Sequence, residues 1–173
     1  MNKNSSIVEF DKFKELINIL NNSNLFYFIF AGYGLEGKRK KLVREHKDVD
    51  LYIYKKDFNK LKKVLFNINY KIYYEVNDLK AFIKKGLKLD VCLLEKKTNF
   101  YYCKLRFIEQ YIPKELINKI QKTSINGVFF NIAPDEILKK DGINSEYVVD
   151  LKYSQRIKVD NNLFNKIIHK KIT

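Results

Sequence analysis

The stretch AGYGLEGKRKKLVREHKDVD, residues 31–50, decides the reading of this chain. It ends in Asp48-Val49-Asp50, which opens the apolar run continuing to Tyr54. Side chains at i and i+2 of a strand point to the same face, so DVDLYIY predicts two carboxylates side by side. Two like charges held that close are costly unless a cation sits between them. An all-oxygen donor pair suits magnesium, which takes one or two carboxylates plus substrate phosphates. The pair therefore predicts a Mg2+-dependent site for a nucleoside triphosphate. With ten Asp in the chain, chance alone gives roughly half an Asp-x-Asp, so the context must carry the weight.

That context runs outward in both directions. Leu25 to Phe30 is a continuous apolar run that reads as a buried strand. Gly32 and Gly34 follow directly, where glycine lets backbone amides approach a phosphate and a helix start would aim its positive end there. A simple tight turn is the commoner use of such glycines. The basic run Lys38 to Lys41, with Arg44 and Lys47, reads equally as an attraction for triphosphate or as a solvated loop. Downstream, Leu87-Lys88-Leu89-Asp90-Val91-Cys92 alternates, placing Asp90 opposite its apolar neighbours in mid-strand. A carboxylate there needs a partner. A neighbouring lysine across the sheet would serve, and so would a shared metal site with Asp48 and Asp50.

The order Ala31-Gly32-Tyr33-Gly34, then Glu36, then Arg44-Glu45-His46-Lys47-Asp48-Val49-Asp50 resembles the signature of the polymerase-beta-type nucleotidyltransferases. It is most similar to the small antibiotic enzymes that modify lincosamides and aminoglycosides, whose pattern is Gly-Gly-Trp-Ala/Gly-x-Asp, a spacer, then Arg-x-His-x-Asp-hydrophobic-Asp. Ala31 stands where a glycine is usual, Tyr33 replaces Trp and Glu36 replaces Asp. The resemblance covers about residues 25 to 94. It implies an α+β fold with a mixed sheet flanked by helices, and an NTP-dependent transferase that moves a nucleoside monophosphate to a hydroxyl. It implies metal ligands at Asp48, Asp50 and Asp90, with Asp90 also the catalytic base. Nucleotide contacts would come from Gly32, Tyr33, Arg44 and His46, the histidine either orienting the loop or touching a phosphate.

Composition bounds the rest. With 173 residues, 46% of them hydrophobic, the chain is long enough to bury a core. Only Cys92 and Cys103 are present, too few for a disulfide framework or zinc site, so a reducing cytoplasm is expected. The N-terminal MNKNSSIVEFDKFKE is polar and then amphipathic, unlike a signal peptide, and no apolar run could span a membrane. The net charge of +14 is spread along the sequence. It argues against a strongly cationic aminoglycoside acceptor and toward a lincosamide-like one. A tRNA end or a protein hydroxyl, as in toxin and antitoxin nucleotidyltransferases, is the alternative acceptor, and a non-catalytic basic nucleic-acid-binding module the alternative class.

Helical spacing of Phe13, Leu16, Ile17 and Leu20 predicts a first helix, with Ser6 and Glu9 as its capping box. A helix is expected over Asp57 to Ile68, then strands through Val76, over Leu79 to Lys84 and over Leu87 to Leu94. Residues 1–110 read as a nucleotidyltransferase core and 111–173 as a C-terminal extension. The extension would hold an Asn126-Gly127 hairpin, a helix after Pro134, and a last helical stretch through Leu163, Ile167 and Ile168. His169, among lysines near the chain end, reads as solvated.

Overall fold

The computed structural model describes residues 3–44 and 46–172, with side chains from Phe10 onward. Helix α1 (Lys3–Asn22) buries Phe13, Leu16, Ile17 and Leu20 along one stripe, as their spacing predicts. Because α1 is already helical at Lys3, Ser6 does not stand at its start; the side chains of Ser6 and Glu9 lie outside the described residues. Strand β1 (Tyr27–Phe30) is buried throughout and passes straight into helix α2 (Ala31–Arg39). Strand β2 (Asp48–Tyr54) returns antiparallel to β1, placing Phe30 opposite Asp50. Helix α3 (Phe58–Asn67) then crosses the sheet with Leu61 and Leu65 fully buried.

Three strands follow as a meander: β3 (Lys71–Val76), β4 (Leu79–Lys84) and β5 (Leu87–Lys96). The β4–β5 turn puts Lys85 and Gly86 both at positive φ, +47° and +86°, the backbone of a tight two-residue hairpin. β5 is the spine of the molecule. Residues 88–94 run parallel to β2, residues 87–92 also pair with β4, and Glu95 and Lys96 continue onto β6. The parallel β2–β5 pair is reached through α3 and the meander, a crossover long enough for parallel strands.

The rest of the chain widens this sheet. β6 (Phe100–Lys104) and β7 (Ile108–Pro113) form a hairpin that alternation did not expose. After the short helix α4 (Lys114–Ile117), β8 (Gln121–Ile125) and β9 (Val128–Ile132) form the hairpin expected at Asn126-Gly127. That hairpin lies within the sheet: β9 runs parallel to β1, with Ile29 opposite Ile132. Helices α5 (Asp135–Ile143), α6 (Val148–Ser154) and α7 (Asn161–Lys166) follow.

The last helical stretch stops short of its expected end. Asp160 caps α7 by accepting from the Asn162 and Leu163 amides, and Ile167 has already left helical backbone. Ile168–Lys171 instead forms β10, antiparallel to β7. Ile168 is β-branched and favours strand backbone over a helix end, and the exposed lysines suit an edge strand. His169 is correspondingly half-buried, with Nε2 3.5 Å from Gln110, and burial lowers its pKa. The result is an α+β fold with a mixed ten-stranded sheet. The core lies where α1, α2 and α3 pack on it.

Candidate active site

The β2–β5 register settles which charged groups meet. Asp48 faces Lys88 and Asp50 faces Asp90. Alternation along each strand then puts all four side chains on one face of the sheet. Lys88 is the partner Asp90 required: its Nζ lies 2.8 Å from Asp90 Oδ2 and 3.8 Å from Asp48 Oδ2. The other oxygen, Asp90 Oδ1, is buried without a hydrogen-bond partner.

The electrostatics follow from that crowding. Burial raises the Asp50 pKa well above the usual carboxylate range, and Asp48, Asp90 and Asp141 raise it further. Burial also raises that of Asp90, with Lys88 opposing. Burial disfavours the Lys88 ammonium, but Asp90 and Asp48 outweigh it and its pKa rises overall. The row is thus acidic in excess of its one resident cation. Such a group of carboxylates calls for further positive charge.

Asp141, on α5, is the residue sequence reasoning missed. It accepts from the Ala31 amide at 3.4 Å. Burial pushes its pKa up to about 7. Its signal was present, because an acid three residues after Leu138 falls on the same apolar stripe of the helix as that buried side chain. Asp141, Asp48 and Asp50 line a cleft of about 220 Å³ together with Gly32, Arg44 and Tyr147. The cleft lies between the start of α2, the start of β2 and the α5–α6 connection.

The other expected residues divide into lining and support. Gly32 lines the cleft at the first turn of α2, and a Cβ there would come within 2.4 Å of His46 Nδ1. Glycine is needed because the imidazole packs directly beneath that turn. Tyr33 points the other way, stacked on Phe13 at 4.0 Å and tilted on His46 at 4.5 Å. Its buried ring belongs to the core, so only its backbone is near the cleft. His46 is buried, with Nε2 3.2 Å from Glu36 Oε1, and supports the turn from below. The preceding residue Ala31 opens α2 at φ +50°, the left-handed region where the family pattern has glycine.

Arg44 lines the cleft with its charge shared. Its Nη2 is 3.0 Å from Asp150 Oδ2, and its guanidinium lies 3.8 Å from the centre of the Tyr147 ring. Arg39 reaches the same Asp150 at 3.2 Å, Glu36 at 3.4 Å and the Val149 carbonyl at 2.9 Å. Lys38 pairs with Asp135 at 2.8 Å. The basic run therefore spends Lys38 and Arg39 on holding α2 to α5 and α6, while Lys40 and Lys41 face solvent.

Asp48 and Asp50 pass the test of fit for magnesium. Both are oxygen donors on one strand face at the cleft, in an acidic surplus that a divalent ion would relieve. Among the described residues no three His, Cys, Asp or Glu side chains are gathered so as to hold a metal ion, so Asp90 does not join Asp48 and Asp50 in a three-acid set. An ion held by two carboxylates would need substrate oxygens or water to complete its shell.

No protein-family model and no curated protein sequence matches the chain. Solved structures do resemble it. The lincosamide antibiotic adenylyltransferase LnuA with lincomycin bound superposes with a TM-score of 0.66 at 15% identity, over 86% of this chain and 97% of that one. The solution structure of the antibiotic-resistance factor ANT(2'')-Ia gives 0.65 at 13%, over 88% and 83%. The crystal structure of ANT(2'')-Ia with adenylyl-2''-tobramycin gives 0.60 at 15%, over 84% and 87%. The chain has the fold of these antibiotic nucleotidyltransferases.

Proposed function

We propose that this protein is a metal-dependent nucleotidyltransferase that moves a nucleoside monophosphate from an NTP to a hydroxyl of a small, antibiotic-like molecule. The observation that carries this reading is the register of β2 on β5, which sets Asp50 opposite Asp90 with Asp48 two residues earlier, beside the cleft. Asp48 and Asp50 would hold Mg2+, which when bound neutralises the triphosphate and the departing pyrophosphate. Asp90 receives the proton of the acceptor hydroxyl. The freed oxygen bonds to the α-phosphorus, and the bond from that phosphorus to the β-phosphate bridging oxygen breaks. Pyrophosphate leaves with the electron pair of that bond. Arg44, fixed by Asp150 and Tyr147, supplies a preset cation for phosphate oxygens. The start of α2 at Ala31 and Gly32 turns its positive end toward the same cleft.

The cleft also bears on the acceptor. The net charge of +14 does not extend into it, since Asp141 and Glu146 add to the acids of β2 there. Sequence charge alone argued against a cationic acceptor, whereas this lining favours a hydroxyl compound that carries an amine. Lincomycin, bound by one solved neighbour, and tobramycin, whose adenylyl derivative is bound by another, are the natural probes. The test is incubation with each NTP, magnesium and both compounds. Pyrophosphate release together with a nucleotidyl mass increase on the acceptor is expected. Neither product forming with any NTP would sink the reading.

A further inference from the structure

Tyr74 has no part in the site as described, yet the sheet carries it to the acidic row. β3 pairs Lys71 with Ile83 and Ile72 with Phe82, and then the register slips, so that Tyr74 rather than Tyr73 faces Ala81. Ala81 faces Asp90 across β4–β5, and Asp90 faces Asp50 across β5–β2. Residues paired across neighbouring strands share a face and stand about 5 Å apart. Asp50, Asp90, Ala81 and Tyr74 therefore form a single row over four strands. Ala81 is fully buried and contributes only a methyl group, which leaves room for the long phenol to reach across it. Bulges near active sites commonly re-aim a side chain in this way.

Asp90 supplies the second observation. Its Oδ2 is held by Lys88 at 2.8 Å, while its Oδ1 is buried and unpartnered. A buried oxygen left bare costs free energy until a donor reaches it.

We propose that Tyr74 is a positioning residue for Asp90, its phenol O–H donating to Oδ1 while Lys88 keeps Oδ2, so that the carboxylate is aimed at the acceptor hydroxyl. The bond is not closed in the structure, and catalytic hydrogen bonds often tighten only in the substrate complex. The kinetic consequence rests on the nucleotidyl-transfer reading; the contact itself does not.

The experiment therefore has two arms. In protein labelled with 13C-tyrosine and saturated with lincomycin or tobramycin and a non-hydrolysable NTP analogue, the Tyr74 Cζ resonance is expected to move when Asp90→Asn is introduced, while that of Tyr73 stays. In steady-state kinetics, Tyr74→Phe is expected to lower kcat about tenfold with the NTP KM unchanged. Tyr73→Phe, on the exposed side of the bulge, leaves kcat as it was. A Tyr74 resonance indifferent to Asp90, or an unchanged kcat in Tyr74→Phe, overturns the proposal. Absence of transfer by the unmodified protein overturns the nucleotidyl-transfer reading instead, and the resonance arm then decides the contact alone.

Discussion

The acidic row on β2 and β5 and the ion network beneath Gly32 contain the same kinds of side chain and differ in how those side chains are satisfied. In the network, Glu36 accepts from the Val43 amide at 2.8 Å and meets both His46 and Arg39, and Asp150 receives two arginines, so each carboxylate has its basic partners although His46 Nδ1 is buried without one. In the row, three carboxylates share one lysine, one oxygen has no partner, and Asp50 and Asp90 resist ionisation. A fold gains nothing in stability from the second arrangement. The contrast separates a clamp that holds elements together from a site kept ready for a cation and a substrate.

The sharpest way to break that distinction is to neutralise one acid on each side. Asp50→Asn is expected to cut nucleotidyl transfer by about ten-thousandfold, the several kcal/mol that a held metal supplies. Because it removes a carboxylate whose charge is disfavoured by burial and by Asp48, Asp90 and Asp141, the thermal midpoint should stay level or rise. A fall in both together would place Asp50 with the clamp. Asp150→Ala should act on stability first, costing about 3–5 kcal/mol in denaturant unfolding, because it leaves two mostly buried guanidinium groups without their counter-charge; because Asp150 also lines the cleft and fixes Arg44 there, NTP affinity should fall with it. A loss under about 1 kcal/mol would mean that the arginines find other partners.

Asp141 sharpens the same contrast through pH. Its folded pKa of about 7 stands above the unfolded value of about 3.9. Below pH 4 both states hold the proton, and the residue is neutral toward stability. As pH climbs from about 4 to about 7 the unfolded chain ionises first, so the folded state loses roughly 2–4 kcal/mol relative to it, and the loss then levels off. Urea unfolding of the unmodified protein and of Asp141→Asn across pH 4–8 should show the slope reduced in the variant. Equal slopes would mean that Asp141 is as well solvated in the fold as in the open chain.

Much of the acidic row was legible because its geometry is local. Period-two alternation put Asp48 with Asp50 and set Asp90 apart from Leu89 and Val91, and the strand register then needed only to bring the two segments together. Lys88 was equally local, two residues from Asp90 on the same face, although the expected lysine was sought across the sheet. What escaped reading came from tertiary packing. Asp141 and Asp150 lie more than a hundred residues from the groups they meet, Ala31 and Arg39, and no spacing rule links them. Tyr33 illustrates the limit from the other side: the motif made it a nucleotide contact, but its ring is turned into the core against Phe13. The end of the chain misled for a simpler reason. Four residues after α7 fit a strand or a helical turn, and only the free edge of β7 decides between them.

The left-handed Ala31 sets two opposing entropic and steric terms against each other. Its methyl group is strained by roughly 1–2 kcal/mol at positive φ. The same methyl group narrows the conformations open to the unfolded chain by about 0.4–1 kcal/mol relative to glycine. The strain exceeds the gain, so glycine at the junction between β1 and α2 should be the more stable choice by about 1 kcal/mol. Glycine there would also loosen a backbone segment that touches both Asp141 and the cleft.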